Sequence, residues 1–341
     1  LNAGAQYSQI NNVNIPETGI LPLIPNYLSQ EIGGFVMAIK EYESTTLEIG
    51  GRADFGERRV AIISFDLPRT IEYYSDDLFD FNGAVELRHQ FSDSWAVGIM
   101  TGIASRVPDV NELYSNGLHQ GVSGIEEGDP AMKRERSHRS GLRINGDIGS
   151  LFSINGNLYF QNFQDYILLV PQDETRLTIR GAFPVFKYEQ TDAKIFGYDV
   201  RLGIHPNDHL YFSCEYSFTQ GTDVSADQPL IYMPANRLTG EVNFKLAGWR
   251  GLSSIELGVN NMYSFEQERY LDGQDFIAPP AAYNLLGMNA GATTSLGKLK
   301  AKFFIRIDNL LNVSYRDYLN RLRYFADDLG VNAISGVKIT F

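Results

Sequence analysis

The chain has 341 residues, with 29 Lys and Arg against 41 Asp and Glu, a formal net charge of -12, and a single Cys. An acidic balance excludes nucleic acid as the main partner, because phosphate binding needs a net basic face, and one Cys excludes a disulfide scaffold or a Cys-rich zinc site. The longest apolar runs, such as residues 166–170, fall far short of the roughly 18 residues a membrane helix needs. The 21 Phe, 19 Tyr and 32 Gly leave a transmembrane β-barrel open, since alternation between lipid and lumen dilutes hydropathy.

Period two runs through nearly the whole chain and predicts strands near 1–12, 31–42, 45–65, 78–91, 94–105, 134–147, 150–170, 185–204, 208–220, 234–247, 251–263, 283–296, 298–312 and 331–341. In chain order, Phe196, Tyr198, Val200, Leu202 and Ile204 alternate with Asp199 and Arg201. Leu210, Phe212, Cys214, Tyr216 and Phe218 alternate with Ser213, Glu215 and Ser217, which makes Cys214 a small hydrophobe in an apolar row. Leu238, Val242, Phe244 and Leu246 oppose Thr239, Glu241, Asn243 and Lys245. Leu299, Ala301, Phe303, Ile305 and Ile307 oppose Lys298, Lys300, Lys302, Phe304, Arg306 and Asp308. A one-residue slip of that strand would turn its cations to lipid at about 2–4 kcal/mol each near the midplane, so one face must be wet. Glu241, Lys245, Lys300, Lys302 and Arg306 are therefore read as lumen-facing, bridging a plug by salt links or solvating the interior.

Alternation alone also suits a soluble sandwich, but the connections discriminate. Short turns at 43–44, 92–93, 148–149, 206–207, 248–250 and 297 alternate with long loops at 13–30, 66–77, 106–133, 171–184, 221–233, 264–282 and 313–330. Sorting of all long loops to one end is the habit of outer-membrane barrels, with short periplasmic and long extracellular connections. The last strand alternates Val337, Ile339 and Phe341 with Lys338 and Thr340. With Phe341 at the periplasmic side, loop 313–330 lies outside and Leu1 begins an upward strand.

Three stretches then carry a resemblance. Residues 105–119, Ser-Arg-Val-Pro-Asp-Val-Asn-Glu-Leu-Tyr-Ser-Asn-Gly-Leu-His, precede Glu127-Gly-Asp-Pro-Ala-Met-Lys-Arg-Glu135. Asn309-Leu-Leu-Asn-Val-Ser-Tyr315 precedes Tyr318-Leu-Asn-Arg321 and Gly330, and Thr18-Gly-Ile-Leu-Pro-Leu-Ile-Pro-Asn-Tyr27 lies near the start. Together they resemble TonB-dependent outer-membrane receptors of the iron-siderophore and haem type. The resemblance implies an all-β, antiparallel transmembrane barrel in the bacterial outer membrane, of which this chain is the C-terminal portion. A family barrel of 22 strands would take roughly 530 residues at this chain's spacing, so some eight strands, the plug and the TonB-engaging segment are expected upstream of Leu1. A closed barrel of 14 strands is the alternative, because bacterial single-chain barrels have even numbers.

The resemblance further implies a receptor that imports an iron chelate, siderophore or haem, energised by TonB with ExbB and ExbD through an N-terminal segment that this chain does not carry. It implies no covalent cofactor and no resident metal. His119 lies between a half-matching Arg106-x-Pro108 box and Asp129-Pro130, where haem receptors of the family carry an axial histidine; the plainer reading is a solvated loop residue. Arg321, Arg323, Tyr318 and Tyr324 mix cations with aromatic faces, as suits an anionic chelate, and Tyr114 and Tyr270 join them as candidate ligand contacts. The alternative is an interface belt rich in Tyr and Arg. Glu126, Glu127 and Asp129 are candidate Ca²⁺ ligands, against simple solvation. A passive diffusion channel and an outer-membrane enzyme are the rival functions; no Gly-x-Ser-x-Gly, Walker A, His-Glu-x-x-His or Cys-x-x-Cys pattern supports catalysis.

Overall fold

Alternation of apolar and polar side chains demands a sheet with two unlike faces, and the computed structural model shows one such sheet. It describes residues 1–15, 22–64, 68–249, 251–297 and 299–340. Fourteen long strands succeed one another: β1 (Asn2–Asn12), β2 (Asn26–Tyr42), β3 (Thr45–Ile63), β4 (Ile71–Ser92), β5 (Trp95–Arg106), β8 (Glu135–Ile148), β9 (Phe152–Thr178), β10 (Gly181–Asn207), β11 (Leu210–Asp223), β13 (Arg237–Ala247), β14 (Leu252–Ser264), β15 (Tyr283–Leu296), β16 (Leu299–Asp308) and β17 (Asn332–Thr340). Three short strands, β6 (Asn116–His119), β7 (Gly124–Glu127) and β12 (Gln228–Pro229), one α-helix, α1 (Val110–Tyr114), and 3-10 turns at Gln120–Val122 and Arg321–Tyr324 belong to the long connections. Each long strand pairs antiparallel with the next. Among the described residues no pairing joins β1 to β17, so the sheet is a partial barrel wall.

The register builds continuous apolar rows on one face. Leu47, Leu87, Ile99, Leu142, Leu158, Tyr198 and Phe218 follow one another across seven strands, and Phe212, Val242, Val259, Met288 and Ile307 continue the band. These rows have no second layer over them: Val259 is 48 % and Ile99 59 % exposed. An apolar face of this extent is explained by lipid. Cys214 stands in it, opposite Leu202 and Gly240. The tight hairpins that follow β2, β4, β8, β10, β13 and β15 lie at the opposite end from the long loops, and Gly149, at φ 61°, supplies the left-handed residue that the β8–β9 turn needs.

The ends of strands differ from the sequence reading. β2 begins at Asn26 and β4 at Ile71, and β9 and β10 run on to a two-residue turn between Thr178 and Gly181 where a loop over 171–184 was expected. Past the bilayer both faces of a hairpin are wet, so pairing continues without alternation to announce it. Expectations resting on residues 18–21, Arg250, Lys298 and Phe341 lie outside the described residues. The largest fully buried side chains are Arg323, in the last long connection, and Phe186, Val60 and Val185, on the long-loop ends of β10 and β3.

Candidate functional site

The connection between β5 and β8 is tied down by its own charged residues. Arg106 forms a bidentate pair with Glu112, at 2.7 and 3.0 Å, and reaches Glu135 at 3.3 Å. Glu112 also accepts from the Asp109 backbone N–H at 2.7 Å and caps α1. Arg58 donates to the Pro108 carbonyl at 2.7 Å and pairs with Asp76 at 3.1 Å. Gly128 follows so closely behind α1 that a Cβ there would lie 2.5 Å from the Leu113 carbonyl carbon. The Arg-x-Pro, Glu-Leu-Tyr and Gly-Asp-Pro residues thus fold one loop onto itself.

That fold presents the β6–β7 hairpin, whose second strand adds in parallel to β10. Glu126, 3 % exposed, accepts from His119 Nδ1 at 2.9 Å and from Arg321 Nη1 at 2.6 Å. A buried carboxylate is tolerable only when paired in this way. With Glu126 as acceptor the proton sits on Nδ1, so a neutral His119 ring presents the Nε2 lone pair, and its side chain is 43 % exposed. The Arg321 guanidinium stacks 4.7 Å from the centre of the Phe186 ring, and its Nε and Nη2 are buried without a hydrogen-bond partner. Phe186 meets Phe276 edge-on at 5.3 Å, and Phe276 meets Tyr324 at 5.5 Å.

Beneath these rings lies a latch between three long connections. Arg323, with no exposed surface, pairs with Asp275 and lies 4.8 and 4.9 Å from the rings of Tyr318 and Tyr324. The Tyr324 hydroxyl donates to Asp275 at 2.6 Å and bonds the Tyr232 hydroxyl at 2.9 Å. Burial, and then the bond to Asp275, raise the Tyr324 pKa; burial and the neighbouring Tyr324 and Asp275 raise that of Tyr232. Asn309 opens the last connection at φ 50°, donates to the Val313 and Leu329 carbonyls and accepts from the Val313 N–H.

The family described as TonB dependent receptor-like, beta-barrel, matches residues 1–310. The chain belongs to the TonB-dependent receptor β-barrel family. Solved structures agree in fold. The copper transporter OprC is 17 % identical with a TM-score of 0.72, over 92 % of this chain and 48 % of that one. The FrpB iron transporter from Neisseria meningitidis (F3-3 variant) is 17 % identical with a TM-score of 0.60, over 92 % and 46 %. The siderophore receptor PiuA from Acinetobacter baumannii is 12 % identical with a TM-score of 0.64, over 92 % and 43 %. The chain therefore spans about half the length of the structures it matches. No curated protein matches it at a significant level. Membership places this TonB-dependent receptor barrel in the bacterial outer membrane, with its long connections outside the cell.

In the receptor wall, the sequence-predicted residues fall into four groups. His119 and Arg321 meet through Glu126, while Arg323 and Tyr324 lie under them in the latch, where Arg323 has no surface open to a ligand. Tyr114 sits apart, its ring 5.7 Å from that of Tyr74, beside a cavity of about 290 Å³ that Pro25 and Ile63 also line; burial raises its pKa. Tyr270 is half-buried in the connection that carries Asp275. Glu241, Lys245, Lys300, Lys302 and Arg306 share the polar face by register: Lys245 is opposite Glu256, and Lys302 bonds Glu256 at 2.5 Å.

The Ca²⁺ reading of Glu126, Glu127 and Asp129 meets partners of another kind. Glu127 pairs with Arg176 at 2.6 Å and Lys187 at 3.4 Å, and Asp129 accepts from the Ala131 N–H at 2.8 Å. The three carboxylates serve separate partners, and no group of three or more His, Cys, Asp or Glu suited to a metal occurs among the described residues. Sequence reasoning missed Phe186, Asp275, Tyr232 and Glu256. Each acts through a partner distant in the sequence, and no local pattern marks such pairs.

Proposed function

We propose that this barrel portion belongs to an outer-membrane importer that captures an iron chelate at its extracellular loops and is energised by TonB with ExbB and ExbD, through a plug and coupling segment encoded outside these residues. The observation that supports the reading is the cluster of His119, Glu126, Arg321 and Phe186, in which Glu126 holds a partly exposed guanidinium, stacked on an aromatic ring, beside an exposed imidazole at the mouth of the wall. Such a group suits an anionic ligand with carboxylate or catecholate donors, because Arg offers directional N–H bonds and a stacking plane together. The solved relatives named as iron transporter, siderophore receptor and copper transporter are receptors and transporters for metals or their chelates rather than enzymes.

Haem is the second form of the same reading, supported by the Nε2 lone pair that Glu126 fixes on His119. Growth of an iron-starved strain carrying the intact gene tests both. On a ferric siderophore, Arg321→Ala is expected to lower uptake about tenfold, the loss of one charge-assisted contact, with His119→Ala close to wild type. On haem, His119→Ala is expected to abolish growth if the imidazole is the axial ligand. Unchanged growth of both variants on both sources would retire the site.

A further inference from the structure

The apolar face of the wall gives way to polar side chains on three adjacent strands. On β5, β8 and β9 the outward rows change from Ile99, Leu142 and Leu158 to Thr101, Ser140 and Phe160, then to Ile103, His138 and Asn162, and then to Ser105, Arg136 and Gln164. Thr101 bonds His138 Nε2 at 3.0 Å and Ser140 at 3.3 Å. A groove of about 480 Å³ opens there, with Phe79, Phe81 and Ile103 on its apolar side and Arg136, His138 and Gln164 on its polar side. Arg136 and His138 are exposed, and no ion pair among the described residues engages Arg136. Arg134 closes the upper edge, its guanidinium 5.5 Å from the centre of the Phe79 ring and 3.6 Å from Asp80.

Depth in the membrane sets what such a groove can hold. From Trp95 to Ser105 the strand climbs roughly 25 Å along the membrane normal at the usual barrel tilt, the height of the apolar band. Arg136 is opposite Ser105, so its charge stands where hydrocarbon gives way to headgroups, and an outward Arg at that level costs only about 0–1 kcal/mol. Because this face looks into the bilayer, its occupant is amphiphilic. A guanidinium and an imidazole N–H donor beside Phe and Ile side chains match a phosphate above acyl chains.

We infer that this groove is a binding site for a phosphate-bearing lipid of the outer leaflet, with Arg136 and His138 on the phosphate and Ile103, Phe79 and Phe81 against an acyl chain. The test is native mass spectrometry of the purified full-length protein in detergent, incubated with diphosphorylated lipid A or with its dephosphorylated form. The wild type is expected to retain the phosphorylated lipid about tenfold better, and Arg136→Gln with His138→Gln to remove that preference, while Arg180→Gln, at the distant β9–β10 turn, keeps it. The comparison of two lipids on the wild type needs no variant to fold. Equal retention of both lipids, or an undiminished preference in the folded double variant, would overturn the assignment.

Discussion

The wall and the extracellular cluster use the same residue types under opposite conditions. In the wall, Lys302 and Glu256 pair with their side chains 42 % and 41 % exposed, and the apolar rows are covered by lipid. In the cluster, Arg323 and Asp275 pair at 1 % and 7 % exposure, enclosed by tyrosine rings. A wall charge is surrounded by water and replaceable; a cluster charge, once unpaired, has nowhere to be solvated. The wall therefore takes its stability from periodicity, and the binding end from a few irreplaceable pairs.

The largest expected effect follows from that contrast. Asp275→Ala leaves the Arg323 charge buried and uncompensated, at about 3–5 kcal/mol for a buried pair broken on one side. Hydrogen exchange is expected to show loss of protection through 313–331 and 265–282 together, with the strands of the wall unchanged. Asp275→Leu combined with Arg323→Met is expected to recover most of the protection, since apolar replacement of a buried pair is often neutral. If the single variant exchanged like wild type, the latch would carry no such load.

The wall answers to a different substitution. Val259 lies midway along β14 in the apolar band, between Val242 and Met288, and Val259→Arg is expected to destabilise the folded barrel by about 2–4 kcal/mol. The neighbouring polar position Asn260 faces the other way, so Asn260→Arg is expected to be close to neutral. Urea titration in lipid vesicles compares the two. Equal losses would mean that the two faces of β14 are not lipid and lumen.

The comparison also explains what was legible in the sequence. Alternation is a local property, so fourteen strands and their faces could be read from runs such as residues 298–309 and 238–246. Beyond the bilayer the signal lapses: Thr175 to Thr178 pair with Gly181 to Pro184 although the stretch reads as a polar loop. The motif residues Arg106, Glu112 and Asn309 were visible, but their work as internal ties was not, because it depends on folded geometry. Arg323 read as a cation for a ligand because its burial is set by Asp275, 48 positions away. His119 and Arg321 were likewise legible singly; Glu126, which joins them, is 195 positions from Arg321.

The smallest expected effect lies on the lumen face. Lys302 bonds Glu256 at 2.5 Å, a short distance that invites a large energy. Both side chains are about two-fifths exposed, and a pair so placed is screened by water and salt, so a net contribution of about 0–1 kcal/mol is expected. Lys245 also stands opposite Glu256 and supplies a second cation when the first is removed. Lys302→Met is therefore expected to leave the urea midpoint almost unmoved, and Lys302→Met with Lys245→Met to lower it only slightly, with most of the loss erased at high salt. A loss from Lys302→Met alone as large as that from Asp275→Ala would show that the lumen face is dry, and the distinction between the two regions would fail.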